Sequence, residues 1–469
     1  MAALESASLI VARYLKANHY NESYEAFVRE AGLPRDAGTT SKGDLTLETL
    51  LEEKRVFDVS VRFEKLGVDD GKGKWSLPAP SVSKPVTDLP TASNILSVRV
   101  EVVDDGESLL PVLLATTADR RLHMLDARTL ALRKSFSAIH DSPVLSCTAF
   151  GKNRLLTSSM SGQVHLSDLE GKTLQKRKDH TKYVVRVAIL PDASSPIIAT
   201  AGWDSKVFIY RPKPASNSEL DIGEPAATIE LPTKPESMVF VRHPDTNHTV
   251  LLVTRTDSTF IYYYTVTEDS PRLLGRQNLA PHSNAWVAFT PSSMDLCPTD
   301  PTLLAIGTSS TPHMKLLIVR LLFPPWDASS EGSSVDISTP TPSLRRSLLD
   351  DTLVTETQAS QARAALLVAD REDAAIVIQT STLAPQTPYS TPAVAWRPDG
   401  TGVWVNGDDG AVRGIEAVTG KVISVLQGHE AGSKVRCLWA GNVESEHGMS
   451  KEVVVSGGFD HRLIVWEIE

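Results

Sequence analysis

Three residue types that many hydrolases combine for nucleophilic catalysis occur close together near the C-terminal end of the sequence. They are His429, Ser456 and Asp460. A histidine that bonds a carboxylate on one side can take the proton of a serine hydroxyl on the other. One hypothesis is therefore a catalytic dyad of His429 and Asp460 acting with Ser456. A buried structural network is the alternative.

The segments around these residues have the pattern of short β-strands separated by tight turns. They are Lys434 to Trp439, Val453 to Ser456, the turn Gly457 to Asp460, and Arg462 to Trp466, preceded by Gly428 and His429. This stretch resembles a WD repeat, the four-stranded blade of a β-propeller. The resemblance implies a buried structural tetrad of His429, Ser456, Asp460 and Trp466, and it favours that role over catalysis.

Weaker copies of the same pattern recur towards the N-terminus. In each copy a small residue lies four positions before a turn residue, and an apolar residue lies three positions after it. The turn residues are Asp119, Ser161, Asp204, Asp257 and Asp409, with His140 and His180 upstream of the second and third. Recurrence at roughly forty to fifty residues is typical of propeller blades. The sequence predicts a mainly β protein with a single seven-bladed WD-repeat β-propeller, with eight blades as the alternative.

The repeat pattern weakens between the copy with turn residue Asp257 and the copy with turn residue Asp409. Residues 324–361 are rich in Ser, Thr and Pro and predict a disordered loop insertion. Two apolar runs follow, Ala364 to Ala369 and Ala374 to Thr380, and predict a hairpin. This hairpin either completes the fifth blade or forms an extra one.

Apolar residues at the N-terminus have the spacing of two short amphipathic helices. Asn18 and His19 predict the turn between them, and Gly32 predicts the end of the second helix. The pattern resembles the LisH motif, a helical hairpin that dimerises by forming a four-helix core, and we assign it to residues 1–35. So small a hairpin buries too little surface to be stable alone. The predicted dimerisation residues are Leu9, Ile10, Tyr14, Leu15, Tyr20 and Phe27; packing against its own propeller is the alternative.

The region between the hairpin and the repeats supplies a candidate for closing the propeller. Residues 36–55 predict a short helix and a linker, and residues 56–469 are assigned to the propeller. The final repeat ends at Glu469, directly after its third strand, so a fourth strand must come from elsewhere. Val56 to Phe63 alternates polar and apolar residues, which is a strand signature. We therefore expect residues 56–66 to be the closing strand.

Composition restricts the function classes. The net charge of −10 argues against direct nucleic-acid binding, which needs a positive field over the phosphates. Cys147, Cys297 and Cys437 share no close spacing, so neither a zinc site nor a redox motif is predicted. We find no membrane span and no secretory signal. We expect no metal, no cofactor and no membrane partner, and an intracellular location, nuclear or cytoplasmic.

The two resemblances together imply a non-enzymatic scaffold or adaptor. It would self-associate through the hairpin, as a homodimer, and present its propeller to other proteins of a multisubunit complex. The alternative within this class is a substrate receptor or subunit of a ubiquitin ligase, for which Leu125-Asp126-Ala127-Arg128 is the nearest match to a Trp-Asp-x-Arg ending. From another class, an enzyme with an unrecognised site would need a motif that we do not find. Ser347, behind Arg345 and Arg346, resembles a basophilic kinase site and is a candidate phosphorylation site.

Overall fold

The computed structural model describes residues 7–34, 36–39, 46–48 and 75–469. The last range lacks 107, 138, 152, 192–195, 215–219, 267–269, 284–287, 327–357, 445–447 and 449. The chain divides into two compact units, Met1–Gly71 and Lys72–Glu469. Most of the helix predicted within residues 36–55 lies outside the described residues.

The N-terminal unit contains two short helices, α1 (Ala7–Ala17) and α2 (Asn21–Glu30), which contact each other. His19 lies in the turn between them with a φ of 58°, a left-handed conformation that histidine adopts more readily than branched residues do. Gly32 follows the end of α2 with a φ of 64°, which a glycine adopts without steric cost. The two helices and their turn therefore lie where the sequence predicts them.

The second unit is a seven-bladed β-propeller, in which each blade is a four-stranded antiparallel sheet. The first two blades contain β2 (Ile95–Asp104), β3 (Leu109–Thr117), β4 (Leu122–Asp126), β5 (Leu132–Phe136), then β6 (Val144–Phe150), β7 (Arg154–Ser159), β8 (Val164–Asp168) and β9 (Thr173–Arg177). The third contains β10 (Val184–Leu190), β11 (Ile197–Gly202), β12 (Lys206–Tyr210) and β15 (Ala227–Glu230), with a separate ribbon of β13 (Lys213–Pro214) and β14 (Leu220–Asp221).

The fourth blade contains β16 (Pro235–Arg242), β17 (Thr249–Arg255), β18 (Phe260–Thr265) and β19 (Leu273–Asn278). The fifth contains β20 (Thr290–Leu296), β21 (Leu303–Ser309), β22 (His313–Arg320) and β23 (Ile376–Pro385). The sixth contains β24 (Val394–Trp396), β25 (Gly402–Asn406), β26 (Ala411–Glu416) and β27 (Val422–Gln427). The seventh contains β28 (Val435–Glu444), β29 (Ser450–Gly458), β30 (Leu463–Glu467) and, from the start of the unit, β1 (Val82–Pro85).

Buried apolar side chains join each blade to its neighbours. The described residues form seven such clusters, and each cluster combines residues of two adjacent blades. One of them joins the first blade to the seventh, with Leu113 and Leu125 in the same cluster as Val455 and Val465. This arrangement closes the ring. It also explains how repeats with incomplete tetrads form blades, because the apolar contacts between blades do not depend on the tetrad.

The fourth strand of the seventh blade is β1, which pairs antiparallel with β30 and places Val82 opposite Glu467. The assignment of the closing strand to residues 56–66 is therefore wrong, and those residues themselves lie outside the described part of the chain. All four residues of β1 are exposed. A strand with neither face buried carries no alternating apolar pattern, so a pattern search passes over it.

The fifth blade decides the number of blades. Its fourth strand, β23, pairs with β22, so the run Ala374 to Thr380 completes this blade and does not begin an eighth. The run Ala364 to Ala369 is not its partner strand, because it lies in helix α3 (Gln358–Ala374). Alanine and leucine favour a helix, which explains the difference. Of the predicted loop, residues 327–357 lie outside the described residues and 358–361 belong to α3.

Candidate functional site

The seventh blade brings the four tetrad residues together. The Trp466 indole N–H donates to Ser456 Oγ at 2.9 Å, and Ser456 Oγ lies 2.8 Å from His429 Nε2. His429 Nδ1 lies 3.0 Å from each carboxylate oxygen of Asp460, which also accepts the Glu430 backbone N–H at 2.9 Å. Because an indole nitrogen only donates, the serine hydroxyl is left to donate to Nε2, and Nδ1–H donates to the carboxylate. One hydrogen-bond chain thus runs from tryptophan to aspartate.

This chain has the connectivity of a catalytic triad but is closed to a substrate. The side chains of His429 and Asp460 are 1% and 0% exposed, and Ser456 is fully buried. Burial lowers the pKa of His429, although Asp460 acts in the opposite direction. The ring is therefore neutral at pH 7, with every nitrogen bonded. The geometry stabilises the turn between β29 and β30 and offers no accessible nucleophile.

The third blade repeats the network with two substitutions. His180 Nδ1 lies 2.9 Å from Asp204 Oδ1, and His180 Nε2 lies 2.9 Å from Thr200 Oγ1. Tyr210 stands where the seventh blade has tryptophan, and its hydroxyl donates to Asp179 at 2.9 Å. A tyrosine can therefore replace the tryptophan here, because the carboxylate of Asp179 accepts the hydrogen bond that its hydroxyl donates.

The second blade keeps the histidine but lacks the aspartate. His140 Nε2 lies 2.8 Å from Thr157 Oγ1, whereas Ser161 occupies the position of the turn aspartate. His140 Nδ1 is buried without a hydrogen-bond partner among the described residues, and its ring stacks on His165 with 3.8 Å between centroids. Burial, with a further contribution from His165, lowers the pKa of His140 to about 3. One missing carboxylate thus leaves one buried nitrogen unsatisfied.

The other turn aspartates have different surroundings. Asp119 accepts the Thr91 hydroxyl at 2.7 Å, and Asp409 accepts Arg413 Nη1 at 3.0 Å. Asp257 is exposed and has a φ of 56°. The sequence pattern therefore locates turns correctly but does not by itself identify a histidine network.

A repeated backbone hydrogen bond marks one face of the propeller. The residue before the turn position donates its N–H to the carbonyl of the residue before the innermost strand. The pairs are Ala118 to Asn94, Met160 to Pro143, Trp203 to Tyr183, Thr256 to Lys234, and Phe459 to Lys434. We call the end of the propeller that carries these turns and the loops into the innermost strands the top face.

Exposed aromatic side chains mark the top face. In the described part of the propeller they are Tyr183, Trp203, Tyr389 and Phe459. Tyr389, in the loop between β23 and β24, is 90% exposed. The other exposed large apolar side chains described in this unit are aliphatic, such as Leu109 and Val418. Within the described part of the propeller, the top face thus differs from the rest of the surface in its exposed aromatic side chains.

Trp203 contacts two other side chains of the top face. Its ring stacks on Tyr183 with 5.1 Å between centroids, and Lys234 Nζ lies 4.8 Å from its centroid. The sequence-based search missed this group. A usable signal existed, because Trp203 occupies the turn position at which the first two blades have Ala118 and Met160.

Charged side chains lie on the innermost strands, around the central channel. Arg99 Nε lies 2.6 Å from Glu101 Oε1, and Asp295 accepts the Trp396 backbone N–H at 2.7 Å. Burial raises the pKa of Asp295 to about 6. Closer to the top face, the innermost strands carry Arg186, Glu236 and Arg436.

The sequence matches the family described as UCP007778, beta-propeller domain, over residues 71–467, which is most of the chain. The chain belongs to the UCP007778 beta-propeller domain family. It is also similar to WD repeat-containing protein 55 of Mus musculus, with 27% identity over 112 residues. That similarity covers 24% of the chain and 27% of the relative, so it concerns about a quarter of each protein. A WD-like propeller is therefore supported by both comparisons.

The segment most similar in sequence to a Trp-Asp-x-Arg ending, Leu125 to Arg128, lies within the UCP007778 domain. Leu125 is buried, and Asp126 accepts Arg133 Nη2 at 2.7 Å. Arg128 Nε donates to the Glu444 carbonyl of the seventh blade at 2.9 Å. Arg128 is thus bonded to its own propeller.

The predicted dimerisation residues precede the UCP007778 match and lie in α1, α2 and their turn. Ile10 is buried and Tyr20 is 52% exposed, with its ring 6.4 Å from that of Tyr14. The half-buried members are Leu9, Tyr14, Leu15 and Phe27. Ser347 lies outside the described residues.

The described residues contain neither a membrane-spanning helix nor a cluster of metal ligands. None of the helices there has the length and apolar character needed to span a membrane. Nowhere in the same residues do three or more His, Cys, Asp or Glu side chains converge so as to hold a metal ion. Cys147, Cys297 and Cys437 are buried thiols, and burial raises the pKa of Cys147.

Proposed function

We propose that the chain is a non-enzymatic scaffold that binds protein partners on the top face of its propeller and self-associates through its N-terminal hairpin. The observation that carries the proposal is the group of exposed aromatic side chains Tyr183, Trp203, Tyr389 and Phe459. Aromatic residues are enriched at the energetic centres of protein interfaces, since each buries a large area with few rotatable bonds. The membership of a propeller family and the WD-repeat relative support the same function.

A purely structural role does not account for the exposed ring area of Trp203. Its stack with Tyr183 leaves the two side chains 40% and 39% exposed, so the contact covers only part of either ring. The equivalent turn position of the first blade holds Ala118, which shows that a propeller turn does not need an aromatic ring there. The remaining apolar area is available to a partner.

Affinity purification of the full-length chain, followed by mass spectrometry, tests the top face. A variant with Trp203→Ser and Tyr389→Ser should capture about tenfold less of each specific partner, because two anchors are removed. The control is Val418→Ser, which removes an 82% exposed apolar side chain from the turn between β26 and β27 on the opposite face. Equal capture by the wild type and the double variant would reject the proposed surface.

Self-association is proposed for the hairpin because half-buried apolar side chains such as Leu15 and Phe27 remain on two short helices. So small a unit gains stability by pairing. Light scattering should show a dimer that becomes a monomer with Leu15→Asp and Phe27→Asp, and stays a dimer with the control Glu25→Gln on the exposed side of α2. A wild-type monomer at micromolar concentration would contradict this part.

We place the scaffold inside the cell, in the nucleus or the cytoplasm, as a subunit of a multisubunit complex. The three cysteines of the chain are buried and unpaired, which suits a reducing compartment. Cell fractionation with size-exclusion chromatography tests this placement. Co-elution with larger assemblies is expected, and elution only at the size of the isolated chain would contradict it.

A further inference from the structure

Two arginines lie near the top of the central channel. Arg186 is the third residue of β10, and Arg436 is the second residue of β28. In both strands the pairing with the next strand is irregular at this point, between Val184 and Arg186 and between Val435 and Cys437. Arg186 pairs with Ala201, three residues before Asp204, and the equivalent position of the seventh blade is Cys437, directly after Arg436. The two arginines therefore differ by one residue in level, on the third and seventh blades.

The charge of Arg186 acts on Arg436 across the channel. Burial lowers the pKa of both guanidinium groups, and Arg186 lowers that of Arg436 further. The third and seventh blades are not neighbours, so this interaction crosses the channel and does not run through one blade interface. In the described part of the chain, neither guanidinium group forms a hydrogen bond or an ion pair. Both side chains are half-buried, so water and a ligand atom can reach them.

At this level the described innermost strands and the loops into them bring one carboxylate, that of Glu236, near the three cations Arg186, Lys234 and Arg436. Glu236, the second residue of β16, is influenced by Arg186 and by Lys234, and burial raises its pKa. No acidic group acts on Arg436 among the described residues. A local excess of positive charge in a chain of net charge −10 marks the mouth of the channel as a place for an anion.

The mouth of the channel adjoins the exposed aromatic side chains of the top face. Lys234 acts on Glu236 inside the mouth and also lies over the Trp203 ring, which stacks on Tyr183. A ligand that places a negative charge at the arginines therefore meets apolar rings beside it. A small inorganic anion would use only the charge, whereas a polypeptide would use both.

We propose that the channel mouth binds an acidic segment of a partner polypeptide, with a glutamate or aspartate carboxylate between Arg186 and Arg436 and a flanking apolar side chain on Trp203 and Tyr183. This proposal rests on the scaffold function and adds the chemistry of the partner. Charge-assisted hydrogen bonds to guanidinium groups are among the stronger polar contacts in proteins. Such a contact also relieves the repulsion between the two arginines.

Fluorescence anisotropy with the full-length chain tests the proposal. The probe is a fluorescein-labelled peptide that alternates glutamate with leucine and phenylalanine, and its twin carries glutamine at every glutamate position. The glutamate peptide should bind at least about tenfold more tightly than its twin. Arg436→Gln and Arg186→Gln should each remove most of that difference. Lys451→Gln, at the exposed opposite end of the seventh blade, should leave the difference unchanged.

Each other outcome overturns the inference. Equal binding of the two peptides, or no binding of either, rejects the acidic ligand; the scaffold function stands or falls separately on partner capture by the Trp203→Ser and Tyr389→Ser variant. Pyrophosphate that binds more tightly than the peptide, with the same dependence on both arginines, assigns the mouth to phosphate. The melting temperature of Arg436→Gln should equal or exceed that of the wild type, since one of two like charges is removed. A clear fall would make Arg436 a structural residue.

Discussion

Arg397 of the sixth blade forms a two-bond ion pair with Glu452 of the seventh. Its Nε lies 2.9 Å from Oε1 and its Nη2 lies 2.7 Å from Oε2. The Trp75 ring lies 4.5 Å from the same guanidinium group, and the Pro78 carbonyl accepts a further bond at 2.9 Å. One arginine thus joins two blades to the segment that leads into β1, which closes the ring.

Removing the carboxylate of this pair should destabilise the propeller strongly. Arg397 and Glu452 are 1% and 9% exposed at their side chains, so Glu452→Gln removes the more buried of the two carboxylates that pair with this guanidinium group. Asp399, at 3.1 Å from Nη2 and 22% exposed, remains as the other. The expected loss in the free energy of unfolding is about 2 kcal/mol, since two charge-assisted hydrogen bonds are weakened while one ion pair remains; chemical denaturation measures it. The control is Lys84→Gln, which breaks an ion pair to Glu467 whose lysine is 52% exposed; it should cost less than about 1 kcal/mol. Equal losses would contradict the role of Arg397.

Truncation should distinguish the contribution of β1 to the stability of the propeller from that of the residues before it. A chain that begins at Lys72 keeps Trp75, Pro78 and β1 and should melt close to the wild type, although it lacks residues 56–66. A chain that begins at Asp88 lacks β1 and should melt far lower or aggregate, because β30 is left with an unpaired edge. Differential scanning calorimetry of both chains is the measurement. A large loss of stability already at Lys72 would show that residues 56–66 contribute to closure.

The tetrad should contribute stability and no chemistry. Asp460→Ala leaves His429 Nδ1 and the Glu430 N–H without their acceptor, at a cost of about 1–3 kcal/mol. Asp257→Asn is the control, because Asp257 occupies a turn position of the fourth blade but is exposed, and asparagine tolerates its φ of 56°. Thermal denaturation should show a clear fall for the first variant and little change for the second. Equal melting temperatures would place Asp460 outside a buried network.

The second blade should make the propeller sensitive to acid. The pKa of His140 is about 3 in the folded chain, against 6.5 for an unperturbed histidine. The unfolded chain therefore takes up a proton first as the pH falls. The stability that His140 contributes is complete above pH 6.5 and is lost as the pH falls towards 3. Asp295, with its pKa raised to about 6, contributes stability that increases as the pH falls, which is the opposite dependence. The contribution of His140 is therefore measured as the difference between a variant and its control at each pH.

Moving one carboxylate should correct this defect. The double variant Asp141→Asn with Ser161→Asp moves a carboxylate from position 141 to position 161, where Ser161 Oγ donates to Asp141 Oδ1 at 3.0 Å. The total charge near Lys176 is unchanged. His140 Nδ1 then gains an acceptor, as His180 has in the third blade. The double variant should gain about 1 kcal/mol and lose less stability between pH 7 and pH 5. Asp141→Asn alone is the control, and a double variant that behaves like it would show that Nδ1 is not aimed at residue 161.

The tetrad of the last blade was predictable from the sequence because its signals are local. His429, Ser456, Asp460 and Trp466 stand at fixed spacings around strands with clear apolar patterns, and the structure places them within hydrogen-bonding distance. The seven blades follow from the same repeats. Of the four aromatic residues of the top face, Trp203 and Phe459 share the position directly before a turn residue. Tyr183 and Tyr389 lie in loops that have no fixed spacing in the repeat.

The closing strand and the blade-joining ion pair could not be predicted in the same way. β1 is exposed on both faces and lacks an alternating pattern, whereas Val56 to Phe63 alternates regularly and therefore predicts a strand more strongly. Arg397 and Glu452 stand far apart in the sequence and meet only when the sixth and seventh blades pack together. The channel arginines Arg186 and Arg436 are likewise brought together by closure of the ring. Such sites are set by tertiary packing, which single-sequence patterns do not encode.

Hydrogen–deuterium exchange of the full-length chain, alone and in its purified complex, tests the proposed binding surface most directly. We predict that bound partners slow amide exchange in the top-face loops, above all at 181–186, 203–205 and 387–393. The loops at the opposite ends of the same blades, such as 397–401, should exchange at the same rate in both samples. Protection confined to that opposite face, or to α3, would contradict the account of the top face as the partner-binding surface.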